Sequence, residues 1–306
     1  GRDAATSIPI WSLYAAGRSR PTSEMLRDVD VLVCDLQDAG ARFYTYAATM
    51  AYAMEEAARR SVPFYVLDRP NPINGALVEG PVLDADLTSF LGYCPLPLRH
   101  GMTLGELAGL FNAKKRIGAD LHVIRMRGWQ RGDWFDSTGL TWTSPSPNLR
   151  NVNAALLYPA VAMLEATPGY SVGRGTDAPF EQAGAEWMRG RDLAAYLNSR
   201  WIPGVRFYAT RFRPSSSALA GTDLEGVRFV ITDREAFRAQ RLGLEIAAAL
   251  LRLYPGRVSL RANRLLIGSE EVMRALESGA DPVEIERQSQ QKAREFAVGR
   301  KEFVLY

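Results

Sequence analysis

The sequence is poor in the residues that build disulfide frameworks and metal centres. Its 306 residues include only two cysteines, Cys34 and Cys94, and two histidines, His100 and His122. Two cysteines cannot form a disulfide framework, and a lone cysteine inside an apolar run usually behaves as a small buried hydrophobe. Neither histidine lies near a cysteine or has the paired spacing that a zinc site needs. We therefore expect buried free thiols and no metal site.

The sequence also lacks a dominant charge of one sign and a long apolar run. Lys plus Arg is 37 and Asp plus Glu is 34, which leaves a formal net charge of +3 with no basic patch or tail able to grip a polyanion. No apolar run approaches the ~20 residues that span a bilayer. Nucleic-acid binding therefore has no support, and no membrane span is expected. Gly1 opens the chain without a basic or apolar leader, so no targeting signal is visible.

The composition that remains is that of a globular α/β protein. Hydrophobic residues make up 47% of the chain and charged residues 23%. Apolar, β-branched runs at 29–36 and 63–67 predict buried strands, and an amphipathic pattern at 49–60 predicts the helix between them. A capping box predicts the start of a helix at 103–112. Apolar and polar residues alternate at 120–126, which predicts a strand. These patterns predict a parallel sheet built from βαβ units.

The chain is about twice the usual domain size, so one large domain or two smaller ones are expected. The Ser-Pro-Ser-Pro-Asn stretch at 144–148 indicates a junction, which predicts domains at 1–150 and 151–306. Prolines predict a long irregular excursion at 69–99, and glycines predict a loop at 166–187. The other predicted elements are helices at 22–28, 154–165, 191–201, 234–253, 270–278 and 282–297, and strands at 205–212, 226–232 and 303–306.

Two glycine-rich motifs in the second half match enzyme signatures only formally. Residues 169–173 fit the G-x-S-x-G of serine hydrolases, but both histidines precede Ser171, whereas that architecture needs its histidine later in the chain. Residues 173–178 fit the G-x-G-x-x-G dinucleotide fingerprint, but they follow a helix and meet Pro179 where a helix should continue. An esterase and a nucleotide-dependent oxidoreductase are therefore disfavoured, and we expect no cofactor.

Three aspartates follow the predicted parallel strands. Asp35 and Asp38 come after the first strand and Asp68 after the second, so all three are expected on one rim of the sheet. They could be structural, with Arg42 as the partner of Asp38 and Arg69 as the partner of Asp68. They could also form a glycan site, because carboxylates bind sugar hydroxyls and glycosidases need two carboxyl groups.

Aromatic side chains accompany these carboxylates. Tyr44 and Tyr46 lie next to the first strand, and flat rings suit the face of a pyranose. Trp129, Trp134 and Trp142 form a further group, which is either core or a sugar platform. The pool of candidate carboxyl groups consists of the three aspartates and Glu79, Glu165 and Glu181.

Short motifs carry a family resemblance along essentially the whole chain. In order they are DLQDAGARFYTY at 35–46, LDRPNPI at 67–73, VEGPVLD at 78–84, RHGMT at 99–103, SPN at 146–148, GRGT at 173–176 and RKEFVLY at 300–306. Together they strongly resemble the exo-β-N-acetylmuramidase (NamZ) family, formerly a domain-of-unknown-function family.

The resemblance implies a fold and an activity. The fold would be a Rossmann-like parallel-sheet domain joined to a smaller α/β domain, with the active site in the cleft between them. The activity would be the release of N-acetylmuramic acid (MurNAc) from the non-reducing ends of peptidoglycan fragments during bacterial cell-wall recycling. The expected ligands are muropeptides or MurNAc-GlcNAc, and the expected location is extracytoplasmic. The alternative is a non-catalytic muropeptide-binding protein.

The resemblance also suggests roles for individual residues. The predicted catalytic residues are Asp35, Asp38 and Glu165. Arg174 would pair with the lactyl carboxylate of MurNAc, which matches its planar donor fork, although it could instead bridge to Asp177 or Glu181. The predicted substrate-binding residues are Gln37, Arg42, Tyr44, Asp68, Asn71, His100, Asn148, Arg174 and Thr176.

The chain departs from the family pattern at two places. Family members carry an upstream β/α segment with a Pro-Glu-His-Gly motif, whose glutamate is a favoured catalytic candidate. This chain begins after that motif, so it is expected to lack the family's N-terminal segment and that general acid. The Glu-Gly-Thr-Asn expected after the interdomain helix reads Glu165-Ala166-Thr167-Pro168 here, which keeps the glutamate.

Overall fold

Two three-stranded sheets and a two-stranded ribbon organise the chain in a computed structural model that describes residues 1–14, 17 and 19–306. The strands are β1 (Leu32–Cys34), β2 (Phe64–Leu67), β3 (Glu79–Val82), β4 (Pro97–Arg99), β5 (Leu121–Ile124), β6 (Gln182–Ala185), β7 (Val205–Phe212) and β8 (Leu224–Ile231). The helices are α1 (Tyr46–Arg59), α2 (Leu104–Lys114), α3 (Val152–Val161), α4 (Gly190–Ser199), α5 (Ala239–Leu253), α6 (Arg264–Ile267), α7 (Glu270–Glu277) and α8 (Pro282–Gly299).

The first half is built on a parallel sheet with strand order β1-β2-β5. Helices α1 and α2 pack on one face of it and bury Met50, Met54, Phe64 and Phe111. The predicted capping box is present at the start of α2, where the Thr103 side chain accepts from the Glu106 amide and the Glu106 carboxylate accepts from the Thr103 amide. The predicted α/β class and parallel sheet are confirmed.

The opposite face of this sheet carries apolar side chains in contact with solvent. Val33 is 54% exposed, Ile124 50% and Leu67 37%. Tyr65 and His122 stack on each other across β2 and β5, with ring centroids 4.5 Å apart. Helices usually cover both faces of a parallel sheet. Within the described part of the chain this sheet is stabilised from one side, by α1 and α2.

The predicted irregular excursion at 69–99 contains regular structure that the prolines concealed. Strands β3 and β4 form an antiparallel ribbon in which Glu79 lies opposite Arg99. The ribbon tolerates Pro81 and Pro97 because its register shifts between Glu79 and Val82, and proline is accepted at such irregularities and at strand edges. The prediction of a purely irregular segment was wrong.

The second half is built on an antiparallel sheet with strand order β6-β8-β7. The predicted strand at 205–212 matches β7, and β6 lies within the stretch predicted as a glycine-rich loop. Two predicted elements are wrong, since 22–28 forms turns and 303–306 forms no strand. No helix among the described residues combines the length and the apolarity that a bilayer crossing needs.

A buried ion pair joins the ribbon to the second half. Arg99 and Glu79 lie 2.6 Å apart, with side chains 0% and 5% exposed. Glu79 also accepts from the backbone amide of Gln240 at 3.2 Å, and the Gln240 side chain accepts from the Gly80 amide at 3.0 Å. Because Gln240 belongs to α5, this cluster fixes the ribbon against the second half.

Two further arginines cross the junction by binding backbone carbonyl groups. Arg42 donates to the Leu266 oxygen at 2.5 Å, and a side chain on Gly268 would overlap its guanidinium. Arg300 donates to the carbonyl oxygens of His100 at 2.9 Å and Ala76 at 3.1 Å. Burial lowers the pKa of both arginines to about 10, which reflects the loss of hydration around each cation.

The chain ends by returning to the first half, which explains why 303–306 forms no strand. The Tyr306 hydroxyl donates to Asp68 at 2.9 Å and accepts from the Met126 amide at 2.9 Å. The Leu305 amide donates to Glu106 at 2.9 Å. Side chains therefore satisfy the backbone that a strand partner would otherwise have bonded.

Both cysteines are buried free thiols, as predicted. They lie in the core between the parallel sheet and its helices. Burial raises the pKa of the Cys34 thiol to about 12, so this side chain is an inert part of the core.

We predict that Arg99→Met destabilises the protein by about 3–5 kcal/mol, because it leaves the Glu79 carboxylate buried without its cation. Glu79→Gln combined with Arg99→Met should recover much of this loss. Urea unfolding followed by circular dichroism measures both. Arg213→Met, which breaks the exposed pair with Asp223, is the control and should change little. Additive losses in the double variant would contradict the prediction.

Candidate active site

Three tyrosine rings meet where the two halves join, the place where the resemblance predicts the cleft. Tyr44 precedes α1, Tyr46 begins it, and Tyr158 comes from α3. The Tyr44 ring centroid lies 4.9 Å from that of Tyr46 and 5.9 Å from that of Tyr158, both with edge-to-face geometry. Aromatic residues of both halves therefore pack together at the predicted cleft.

Neighbouring groups hold these rings in place. The Tyr46 hydroxyl donates to the Pro145 oxygen at 2.8 Å. The Tyr158 ring contacts the rings of Phe43 and Phe180 edge to face, at centroid distances of 5.1 and 4.8 Å. Buried aromatic contacts of this kind fix the ring planes before any ligand binds.

Charged groups from both halves surround Tyr158. Burial raises the pKa of Tyr158 far above its ordinary value, the Glu165 and Asp38 charges raise it further, and Arg174 acts in the opposite direction. Asp38 belongs to the first half, and Glu165 and Arg174 belong to the second. The charges of two predicted carboxyl groups and of the predicted anion-binding arginine therefore all act on the ionisation of one phenol.

Arg174 lies in a tight loop and forms an ion pair with Glu165. The flanking Gly173 and Gly175 have φ angles of 79° and 77°, which favour glycine. Arg174 Nε and Nη2 bond the two Glu165 oxygens, the second at 3.1 Å, and its guanidinium lies 4.9 Å from the Phe180 ring centroid. Within the described ranges Nη1 has no hydrogen-bond partner. The alternative pairing with Asp177 or Glu181 is not formed.

Asp38 is buried, with its side chain 4% exposed, and is positioned by its neighbours. Its Oδ2 accepts from the Gly40 amide at 2.8 Å and lies 3.6 Å from His100 Nε2. His100 Nδ1 accepts from the Met102 amide, so Nε2 carries the ring proton and faces Asp38. Asp38 Oδ1 is buried and has no partner among the described residues. The alternative pairing of Asp38 with Arg42 is not formed.

The Asp68 carboxylate forms hydrogen bonds that hold together separate segments of the fold. It accepts from the Gly105 amide at 2.8 Å, from the Thr103 hydroxyl at 2.7 Å and from the Tyr306 hydroxyl. Burial raises its pKa despite these hydrogen bonds. The carboxylate therefore caps α2 and anchors the end of the chain.

Asp35 lies at a separate cavity of about 620 Å³ on the rim of the parallel sheet. Its side chain is 48% exposed and pairs with Arg69 at 2.7 Å, so Arg69 does not pair with Asp68 as the structural alternative expected. Trp129 also lines this cavity. Asp35 and Asp38, three residues apart, thus face different surroundings.

Most of the other predicted binding residues form internal hydrogen bonds. Arg42 binds carbonyl groups at the junction, and Asn71 donates to the Met102 oxygen and accepts from the Ile73 amide. Thr176 donates to the Gly173 oxygen and so shapes the Arg174 loop. Gln37 donates to the oxygens of Asp38 and Pro70, and Asn148 is half-buried.

The sequence reasoning missed Tyr158. Its signal was its position in the predicted helix at 154–165, seven residues before Glu165 and therefore on the same helix face. The described residues contain no group of three or more His, Cys, Asp or Glu side chains arranged to hold a metal ion. The chemistry that this cleft offers is that of carboxyl groups, a guanidinium and phenols.

Comparisons with known proteins point to one family. The model of the exo-β-N-acetylmuramidase NamZ N-terminal region matches residues 1–153, and that of the C-terminal region matches residues 156–306. The peptidoglycan β-N-acetylmuramidase NamZ of Bacillus subtilis strain 168 is 42% identical over 307 residues, which cover 99% of this chain and 74% of that protein.

Solved structures agree with this result. A crystal structure of a DUF1343 family protein from Bacteroides fragilis is similar with a TM-score of 0.88 and 33% identity. A second DUF1343 family protein from the same organism gives a TM-score of 0.78 and 30% identity. Each match covers 100% of this chain and 82% of the other.

We predict that Tyr44 and Tyr158 stay protonated in the folded protein up to roughly pH 11, because burial raises the pKa of both phenols. Tyr158→Phe should therefore leave the tyrosinate absorbance gained between neutral pH and that point unchanged. The control is the same variant unfolded in guanidinium chloride, where Tyr158→Phe should reduce the gain because every phenol of the unfolded chain is exposed. A smaller absorbance gain in Tyr158→Phe would show that this phenol ionises readily.

Proposed function

The chain belongs to the exo-β-N-acetylmuramidase NamZ family, and we propose that it carries out this chemistry in the cleft around Tyr158. It is a glycosidase that releases MurNAc from the non-reducing ends of peptidoglycan fragments. The observation that supports this site is a chain of contacts across the junction: the Tyr44 ring packs on Tyr158, Tyr158 packs on Phe180, and Phe180 packs on the Arg174 guanidinium that binds Glu165. A site assembled in this way needs both halves of the chain.

Arg174 would select MurNAc through its lactyl carboxylate. Two guanidinium nitrogens are committed to Glu165, and the Nη1 group is free to donate to an incoming anion. The glycine-flanked loop lets a ligand approach the backbone closely. MurNAc differs from GlcNAc by the lactyl group, so this contact would distinguish the two sugars.

We assign different roles to the two carboxyl groups of the cleft. The Glu165 side chain is 29% exposed and can touch a substrate, so it is our candidate for the acid–base or nucleophilic step that a glycosidase needs. Asp38 is buried beside His100 and is less accessible to a substrate, and its catalytic role stays a prediction. A catalytic role for Asp35, at the separate rim cavity, stays a prediction.

The substrate suggests where the protein acts. MurNAc-GlcNAc and larger muropeptides are the ligands that we propose, and such fragments arise from the cell wall. We accordingly propose an extracytoplasmic location, which cell fractionation followed by immunoblotting would test.

We predict that Glu165→Gln lowers kcat for MurNAc release from MurNAc-GlcNAc by about 10²–10⁴-fold, the usual contribution of a positioned acid or base. Chromatography of the released sugar measures it. Glu181→Gln is the matched control, since Glu181 pairs with Arg228 outside the cleft, and it should keep its activity. Unchanged turnover in Glu165→Gln would exclude this role. Binding without any release by the unmodified protein would favour the non-catalytic alternative.

Arg174→Ala should weaken the binding of a MurNAc glycoside by about 2 kcal/mol, or roughly thirtyfold in Kd, because it removes a charged contact to the lactyl group. Binding of the matching GlcNAc glycoside should change much less. Calorimetry with both sugars measures the difference, and Arg228→Ala serves as the control. Equal losses for both sugars would rule out lactyl recognition by Arg174.

A further inference from the structure

A row of exposed side chains lies on the second half, outside the cleft. Trp201 is 78% exposed, Tyr208 54% and Val230 38%. Together with the exposed Arg206 they form what we call the aromatic strip. None of the four lines the cavity beside Arg174 and Glu165. The activity proposed above therefore does not account for these side chains.

The register of β7 and β8 places most of the strip on one sheet face. Side chains alternate along β7, and those of Val205 and Phe207 point into the core. The side chains of Arg206 and Tyr208 therefore share the outer face of the sheet. Val230 lies opposite Arg206 in the ladder. Arg206 and Tyr208 are two residues apart, or about 7 Å along the strand. This spacing suits contact with an extended polymer.

The Arg206 guanidinium connects the sheet face to Trp201 and keeps its charge uncompensated. It lies 5.9 Å from the Trp201 ring centroid. Its Nη1 donates to the oxygens of Val205 at 2.7 Å and Ile202 at 3.2 Å, which holds the side chain in place. No carboxylate forms an ion pair with it in the described part of the chain. The strip thus presents open ring faces beside a fixed cation.

Trp201 occupies a backbone position where glycine is usual. It follows the last residues of α4, its amide donates to the Asn198 oxygen at 3.2 Å, and its φ is 49°. Helices commonly end on a glycine in this left-handed conformation, and a bulky residue there is strained. A tryptophan that is both strained and mostly exposed contributes little to folding, so its presence indicates a contact outside the chain.

We propose that the aromatic strip binds insoluble peptidoglycan, through its sugar rings and the carboxylates of its peptide stems. Flat exposed rings suit sugar faces, and the unpaired Arg206 complements an anionic polymer. The choice of polymer rests on the proposed function. The strip would hold the enzyme on the wall while the cleft acts on chain ends.

The test is sedimentation with insoluble peptidoglycan stripped of teichoic acid, using the full chain. Trp201→Gly should weaken the retained binding by about tenfold, and Tyr208→Ala should act in the same direction. Trp201→Gly should also raise the Tm by about 2 °C, because glycine relieves the strained backbone. Loss of binding in a more stable protein cannot be explained by unfolding. Trp11→Ala, an exposed tryptophan of the first half, is the matched control and should bind normally.

Hydrolysis of soluble MurNAc-GlcNAc separates this proposal from the proposed function. Trp201→Gly should keep that activity, and sedimentation reports on the strip whether or not hydrolysis is seen. Undiminished sedimentation of Trp201→Gly would overturn the proposal. Binding to intact walls but not to stripped peptidoglycan would overturn it in favour of a teichoic-acid polyanion. A concentration-dependent dimer abolished by Trp201→Gly, with sedimentation unaffected, would identify the strip as a contact between two copies and also overturn it.

Discussion

The buried ion pair between Arg99 and Glu79 is the interaction on which the two-part architecture depends. Both side chains are almost completely removed from water, which is unfavourable for charges unless each is paired and hydrogen-bonded. Gln240 of α5 donates its amide to Glu79, so the second half shares in satisfying this carboxylate, whereas Arg99 Nε and Nη2 are buried without a partner among the described residues. Arg42 and Arg300 are also buried at this junction, where each donates hydrogen bonds to backbone carbonyl groups of the other half. The halves are thereby held in one arrangement.

That arrangement brings residues of both halves to the predicted cleft. Asp38 and Tyr44 reach it from the first half, and Tyr158, Glu165 and Arg174 reach it from the second. Aromatic contacts and the paired guanidinium fix these groups, so the site needs little ordering when a sugar binds. The buried arginines fix the two halves relative to each other, and this also fixes the relative positions of the candidate catalytic groups.

Left-handed backbone conformations occur near both surfaces that we connect with glycans. The loop that carries Arg174 uses glycine at two left-handed positions, and this removes the strain. At the end of α4 the same conformation is imposed on Trp201, and the strain is retained. In the Arg174 loop the glycines serve the shape of the backbone. At the end of α4 we propose that the exposed Trp201 side chain is needed for binding.

The sequence by itself determined what depends on neighbours along the chain. The capping box at Thr103, the strand at 205–212, the buried thiols and the family motifs all follow from local spacing or residue type, and the structure and the comparisons agree with them. The α/β class follows from the alternation of apolar periods. Tyr158 could have been found in the same way, because it lies on the same face as Glu165 in the predicted helix at 154–165.

Only the tertiary structure decided how the polar residues are divided between framework and cleft. Asp35, Asp38 and Asp68 look alike in the sequence, yet Asp35 and Asp68 both line the rim cavity, Asp68 also caps α2, and Asp38 lies apart from them beside His100. Arg42 binds the carbonyl group of Leu266, more than two hundred positions away, and Arg174 pairs with Glu165 although Asp177 is nearer in the sequence. A polar side chain takes the partners that folding brings to it once water is excluded. Those partners come from distant segments, so no local pattern encodes them.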